Sequence, residues 1–328
     1  MKVLITGGTG FIGGALVKRL LSQGSSVRVL VRDPGSDAAE SLKRSGAEVF
    51  KGDITDLSSC TRAVEGIDLV FHCAGMLGGW RKSEKELMDV NAGGTLNMLR
   101  AGRNSGIKGF IHVSSCGIFG PLKDGEAARD DHPYNPINIY EKTKVEAEEL
   151  ALSYATEGMS VAVIRPEFVY GPGGMHLLPL FRAVNQGRFV LFGGGRSTLH
   201  PTYIDDVVDA LLLAADNPRA CGKAFNIAGE RPVTVKEFVG CMAEAMGSPA
   251  PALNVPVPLA KAAGFLLDHT WGLFAKPPLS LAQAGYLSEN RAFTCKRAAD
   301  VLGYSPKVGL AESMGRSVAW YRKRGLLE

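Results

Sequence analysis

The opening run Met1-Lys-Val-Leu-Ile-Thr-Gly-Gly-Thr-Gly-Phe-Ile-Gly-Gly-Ala-Leu-Val-Lys-Arg-Leu20 restricts the chain to few folds. Apolar residues from Val3 to Ile5 lead into Gly7, Gly10 and Gly13, and then into a segment with Leu16, Val17, Leu20 and Leu21 at helical spacing. The pattern reads as a buried strand, a tight turn and a helix packed back on the strand. Gly7 permits the turn, Gly13 lets the helix lie against the strand, and Gly10 lets a pyrophosphate approach the backbone. The helix N-terminus offers unpaired N–H groups and a partial positive charge at the same place.

Further strands are predicted at Val27–Val31, Glu48–Lys51, Leu69–Cys73, Gly109–Ser114, Val161–Arg165 and Ala224–Ile227. Helical stretches between them include Glu84 to Arg103 and Asp205 to Ala215. This alternation predicts an α/β fold, a Rossmann-type doubly wound parallel sheet. Beyond Gly171 the pattern loosens through Pro172, Gly173, Gly174 and the run Gly193-Gly-Gly195. From Gly229 onward, helices separated by prolines suggest a smaller, mostly helical lobe. The 328 residues, 45% of them hydrophobic, suffice for both parts. The net charge of +4 gives no reason to expect nucleic acid as a partner.

Six cysteines show no paired metal-type spacing, so no metal is expected. Cys60, Cys73 and Cys116 fall in predicted elements and read as free thiols of a reducing compartment. Met1 runs straight into the first strand, which leaves no space for a signal peptide and implies a cytoplasmic protein. The apolar stretch from Ala252 to Phe274 contains Pro256, Pro258, Lys261 and Asp268. It reads as a lobe helix, with peripheral membrane contact as the alternative to a span.

The segment from Asn135 to Leu150 predicts a helix, capped by Asn135 or Asn138 with Pro136 in its first turn. Tyr140 and Lys144 then share one face, whereas Lys142 points elsewhere. A phenol titrates near pH 10, but a cation at about 4 Å in an effective dielectric near 20 favours the phenolate by roughly 4 kcal/mol. That is about three pKa units, enough to bring the tyrosine within reach of acid–base catalysis.

Taken in order, these motifs resemble the extended short-chain dehydrogenase/reductase family, the NAD-dependent epimerase/dehydratase superfamily. Thr6-Gly-Gly-Thr-Gly-Phe-Ile-Gly13 is similar to its nucleotide motif, and Gly52-Asp-Ile-Thr-Asp56 to the segment whose first Asp contacts adenine. His72-Cys-Ala-Gly75 resembles the turn after the fourth strand, and Val90-Asn-Ala-Gly-Gly-Thr95 a stabilising helix segment. Val113-Ser-Ser-Cys-Gly-Ile-Phe-Gly120 resembles the strand with the active-site hydroxyl, and Arg165-Pro-Glu-Phe-Val-Tyr-Gly171 the next strand exit. The C-terminal segments Lys276 to Leu279, Leu302 to Pro306 and Val318 to Tyr321 are similar to the 3β-hydroxysteroid dehydrogenase and dihydroflavonol reductase branch.

The resemblance implies a catalytic set of Ser115, Tyr140 and Lys144, with Ser114 on the opposite face of the strand. Tyr140 would exchange a proton with the substrate oxygen while the nicotinamide exchanges hydride. Lys144 would also hold the nicotinamide ribose. Gly10 would meet the pyrophosphate, Asp53 the adenine and Arg32 a 2′-phosphate. Gly7, Thr9, Phe11, Ile12, Ile54, Cys73, Ala74, Gly75, Pro166, Phe168 and Val169 would complete the cofactor site with Tyr140 and Lys144. His72, His112 and Asn91 read as structural.

The implied division is residues 1–170 with about 201–228 for the dinucleotide, and about 171–200 with 229–328 for the substrate. A homodimer is expected. Sugar-nucleotide members carry an Asn where this chain has Phe168, and a phosphate-gripping Arg near Leu199, although Arg196 could substitute. With Leu77, Trp80, Ser115, Phe119, Phe168 and Met175 as candidate substrate contacts, the expectation is a ketone or secondary alcohol of largely apolar character. A nucleotide-sugar epimerase or dehydratase is the alternative, and a non-catalytic dinucleotide sensor the second. The residue after strand two that is acidic in NAD users is Val31 here, followed by Arg32, which favours NADP over NAD. Lys51 or Arg44 could add a second cation.

Overall fold

In this computed structural model the described residues are 1–78, 82–271, 274 and 281–328. Seven strands form one parallel sheet: β1 (Lys2–Thr6), β2 (Ser26–Val31), β3 (Glu48–Lys51), β4 (Leu69–His72), β5 (Gly109–Val113), β6 (Val161–Pro166) and β7 (Lys223–Ile227). Their spatial order is β7-β6-β5-β4-β1-β2-β3. The direction of winding reverses between β1 and β4, which places the crevice for a ligand at their C-terminal ends. Each strand matches its predicted range to within a residue.

Around the sheet lie α1 (Phe11–Ser22), α2 (Asp37–Arg44), α3 (Leu57–Ala63), α4 (Glu84–Met88), α5 (Gly94–Asn104) and α6 (Ile139–Thr156). The later helices are α7 (Leu178–Asn185), α8 (Ile204–Ala215), α9 (Val235–Met246), α10 (Val257–His269), α11 (Leu281–Tyr286) and α12 (Leu310–Lys323). Strand alternation divides the core. Val3 and Ile5 face α1 and α8 together with Leu16, Val17, Val207 and Leu211. Leu4, one residue along, faces α3, α5 and α6 with Cys60, Met98, Leu99 and Ala151. A further cluster joins Phe181, Phe238, Met242, Met314 and Tyr321 of α7, α9 and α12.

Two glycines set the first turn. Gly7 has φ +70, and a Cβ there would fall 2.7 Å from the Ala74 nitrogen; one at Gly13 would fall 2.3 Å from the Gly7 carbonyl oxygen. The turn therefore lies hard against both the β4 exit and α1.

The predicted helix from Glu84 to Arg103 is interrupted. A π-helical turn, Asp89–Gly93, stands between α4 and α5. The extra residue of such a turn rotates the side chains around it, and here Asn91 is directed at the backbone of Met76. Of the two caps expected for α6, Asn138 is the one used, accepting from the Glu141 N–H at 2.9 Å, so Pro136 precedes the helix instead of standing in its first turn. Among the described residues no helix is long and apolar enough to cross a membrane.

A buried ion pair joins α6 to β6. Arg165 Nε donates to both Glu148 carboxylate oxygens at 3.0 Å, with the two side chains 3% and 0% exposed. Replacing Glu148 with Leu strands a buried guanidinium and should cost about 3–5 kcal/mol, whereas adding Arg165→Met should restore part of that loss. Urea unfolding of the two variants checks this; equal stability of parent and single variant would contradict it.

Candidate active site

The segments named from the sequence meet at the C-terminal edge of the sheet. Gly10 caps α1 with no side chain on the free N–H groups of its first turn, and the Ala74 N–H donates to Thr6 Oγ1 at 3.2 Å. This leaves a cradle of backbone donors bounded by Gly7, Thr9, Phe11 and Ile12. Gly173 and Gly174 close over Phe11, since Cβ atoms there would lie 3.6 and 3.3 Å from its ring. Val31 and Gly52 are joined by a 2.9 Å backbone bond, which brings the β2 exit with Arg32 to the β3 exit with Asp53 and Ile54. An anionic dinucleotide fits this edge: donors at the middle, glycine where a Cβ would intrude, and a cation at one end.

Asn91 fixes the loop opposite Tyr140. It accepts from Met76 N at 2.6 Å and donates to Met76 O and to Thr143 Oγ1, each at 2.9 Å. Thr143 in turn donates to the Tyr140 carbonyl at 2.7 Å. Gly78 follows, where a Cβ would stand 3.6 Å from the Tyr140 Cβ.

Ser115 lies beside Tyr140. Its hydroxyl accepts from Gly117 N at 3.0 Å and pulls the phenol pKa down against burial. Ser114 is buried without a partner for its hydroxyl.

Lys144 does not draw the Tyr140 phenol down in this structure. The Lys144 ammonium is buried and donates to the Val113 carbonyl at 2.6 Å, at the end of β5. Burial pushes Tyr140 up to about 12, the Ser115 hydrogen bond opposes this, and Glu167 and Glu141 add to it. Burial pulls Lys144 down to about 8, against the attraction of Glu148 and Cys73. Beneath it, His72 is held to about 3 by burial and the lysine charge, and lies between Thr6 Oγ1 at 2.8 Å and Thr95 Oγ1 at 3.1 Å. His112 stacks on His72 at 5.6 Å and is likewise kept neutral by burial. Both are internal.

The candidate substrate contacts separate. Leu77 and Met175 are exposed on either side of the edge. Phe119 does not face it: the ring is fully buried among Cys116, Ile118, Leu122 and Phe293, with the Arg165 guanidinium 5.1 Å over it. Phe168 borders the edge but is packed on Phe238 and Tyr286. Trp80 lies outside the described residues, as does Lys276 to Leu279.

Sequence reading passed over Glu167, Tyr286 and Arg291. Glu167 is 3% exposed, and its carboxylate accepts from the Tyr286 hydroxyl at 2.8 Å. Its signal was in view: a charged residue at an otherwise apolar strand exit.

This fold and edge define a nicotinamide-dinucleotide enzyme of the short-chain dehydrogenase/reductase type. The model of the NAD dependent epimerase/dehydratase family matches residues 3–228. The chain belongs to that family, and with it to the NAD-dependent oxidoreductases. It is 30% identical to the 3 beta-hydroxysteroid dehydrogenase/Delta 5-->4-isomerase of Mycobacterium tuberculosis, over 98% of this chain and 90% of the relative. It is also 30% identical to the 2-alkyl-3-oxoalkanoate reductase of Stenotrophomonas maltophilia, over 96% and 98%. A solved structure of MoeE5 with UDP-glucuronic acid and NAD superposes with a TM-score of 0.78 at 27% identity, covering 99% of this chain and 100% of that one.

Tyr140→Phe keeps shape and packing but removes the transferable proton. Turnover should fall by about 10² or more while dinucleotide still binds. Steady-state kinetics with a binding titration checks both, and parent-like turnover would assign the proton to another group.

Proposed function

We propose that the chain reduces a ketone, or oxidises the matching secondary alcohol, of a largely apolar substrate, with Tyr140 as the acid–base group. The observation that carries this reading is the loss of both polar grips expected for a nucleotide sugar. The Phe168 ring stands edge-on to Phe238 at 5.3 Å and stacked on Tyr286 at 5.9 Å. Leu199 is 1% exposed within the core. Neither position offers a donor to a diphosphate. The names of the two relatives, a hydroxysteroid dehydrogenase and an oxoalkanoate reductase, agree with an apolar partner.

Bound at the sheet edge, the nicotinamide supplies hydride transfer to or from the reacting carbon. Ser115 orients the substrate oxygen, and Tyr140 gives it the phenolic proton in reduction or takes the proton back in oxidation. Lys144, held by Val113, lies on the side of Gly75, where it would meet the nicotinamide ribose. Residues 1–170 with 201–228 serve the dinucleotide, and residues 171–200 with 229–328 the substrate.

A nucleotide-sugar epimerase or dehydratase is the second reading. Its support is the UDP-sugar complex of the MoeE5 neighbour and Arg196, exposed after Gly193–Gly195. Calorimetry on the NADP-loaded protein separates the two. UDP and dTDP should bind poorly, and alicyclic ketones such as cyclohexanone should be reduced; tight binding of either nucleotide would restore the sugar reading.

We further infer a preference for NADP. Val31 cannot accept a hydrogen bond from ribose hydroxyls, and Asp33 is engaged in its own turn, its Oδ1 accepting from Gly35 N at 3.0 Å. Arg32 is exposed and has no ion pair among the described residues, so its guanidinium is available to a 2′-phosphate. Arg32→Ala should raise the KM for NADPH far more than that for NADH. Equal use of both cofactors, unchanged by the substitution, would refute the preference.

A further inference from the structure

A short C-terminal segment, residues 290–294, is bonded to two others. The Leu122 N–H donates to Asn290 O and the Ala128 N–H to Ala292 O, each at 2.9 Å, and the Thr294 N–H donates to Ala128 O at 3.0 Å. Arg291 gives its own N–H to Thr198 O at 2.9 Å, and Asn290 Oδ1 accepts from Thr198 N at 3.0 Å. The backbone of Arg291 is therefore fixed between the loop that follows the Ser115 turn and the segment that carries Leu199.

The Arg291 side chain is 1% exposed. Its guanidinium lies 4.6 Å over the Tyr286 ring, and Nη2 donates to Glu141 Oε1 at 3.4 Å, with Glu289 Oε2 3.7 Å away. Nε and Nη1 have no hydrogen-bond partner among the described residues. A buried charge so sparsely met costs stability rather than adding to it. Stability does not account for this guanidinium, so its effect is to be sought in what it holds.

It holds Glu141, the residue after Tyr140. Glu141 is 3% exposed and stands in the first turn of α6, where backbone N–H groups lack partners within the helix. Its Oε2 accepts from Ile137 N at 2.8 Å, and its own N–H is taken by the Asn138 cap. The same side chain lies against Gly117, where a Cβ would fall 3.4 Å from Glu141 Cγ and 3.2 Å from Ser115 Oγ. One buried carboxylate thus touches the serine turn and anchors the helix start that carries the tyrosine.

We propose that Arg291 is a positioning residue: by holding the Glu141 carboxylate it sets the separation of the Ser115 and Tyr140 hydroxyls, between which the substrate oxygen sits. This rests on the reading of Tyr140 as the acid–base group with Ser115 beside it. The dinucleotide cradle is built by β1 and α1 without either member of the pair, so the effect falls on the reacting geometry alone. A displacement of about 1 Å in such a geometry can lower a rate by on the order of 10²-fold.

The test measures cyclohexanone reduction with NADPH and with NADH, turnover being counted per dinucleotide-binding site by titration. Arg291→Met keeps the length of the side chain without its charge. Glu141→Gln keeps an oxygen for the Ile137 N–H and removes the charge from the other side. Each should lower turnover per site by about tenfold or more, while the dinucleotide dissociation constant stays at the parent value. The double variant should lose no more than the worse single, because Arg291 acts through Glu141. A merely structural role would lower the melting temperature and the number of sites but leave each surviving site at the parent rate. Parent-like turnover per site in either folded variant overturns the proposal, as does a loss confined to dinucleotide affinity or losses that multiply in the double variant. Glu141→Gln decides alone if Arg291→Met does not fold. Tyr140→Phe separates the two ideas. Retained turnover there, or a parent that reduces no ketone, defeats the functional reading together with this one. An inactive Tyr140→Phe beside parent-like turnover per site in Arg291→Met or Glu141→Gln defeats this proposal alone.

Discussion

The arrangement of the edge depends on the Arg165–Glu148 pair. Two charges removed from water carry a large desolvation cost, offset only where the remaining donors and acceptors are met. Here most are met. Arg165 Nη1 donates to Asp130 O at 2.8 Å and to Asn226 Oδ1 at 3.3 Å, and the Tyr134 hydroxyl donates to Glu148 at 2.8 Å. The pair binds the middle of α6 to the end of β6. Tyr140 and Lys144 stand two turns and one turn before Glu148 on that helix, and Glu167 follows Arg165 by two residues. The helix that carries Tyr140 and the strand exit that carries Glu167 are thus fixed to the two sides of one buried contact.

Much of this was legible in the sequence, for identifiable reasons. The glycine turn between β1 and α1 was legible because steric demands there are local: Gly7 and Gly13 each face backbone atoms closer than any side chain allows. The strands were legible because a parallel sheet covered on both faces demands continuous apolar runs such as Val3 to Ile5. The naming of Ser115 came from the family resemblance, and alternation added only that Ser114 points to the opposite face.

What failed to show was set by partners distant in the chain. Helical spacing placed Lys144 on the face of Tyr140 but could not reveal that the Val113 carbonyl, 31 residues away, would take its ammonium. Phe119 read as a cleft residue because it follows the active-site strand, yet Phe293 and the Arg165 guanidinium enclose it. The π-helical turn at Asp89–Gly93 leaves no mark in composition, because the residues that need it, Asn91 and Met76, are joined only in the folded chain.

The electrostatics of the edge follow from that burial. A phenol in a closed site loses the water that would stabilise its anion, so burial alone drives Tyr140 away from the phenolate. A buried ammonium responds the opposite way, and Lys144 falls toward neutrality. The same burial keeps His72 and His112 neutral behind Lys144, so the ammonium finds its partner in a neutral group, the Val113 carbonyl.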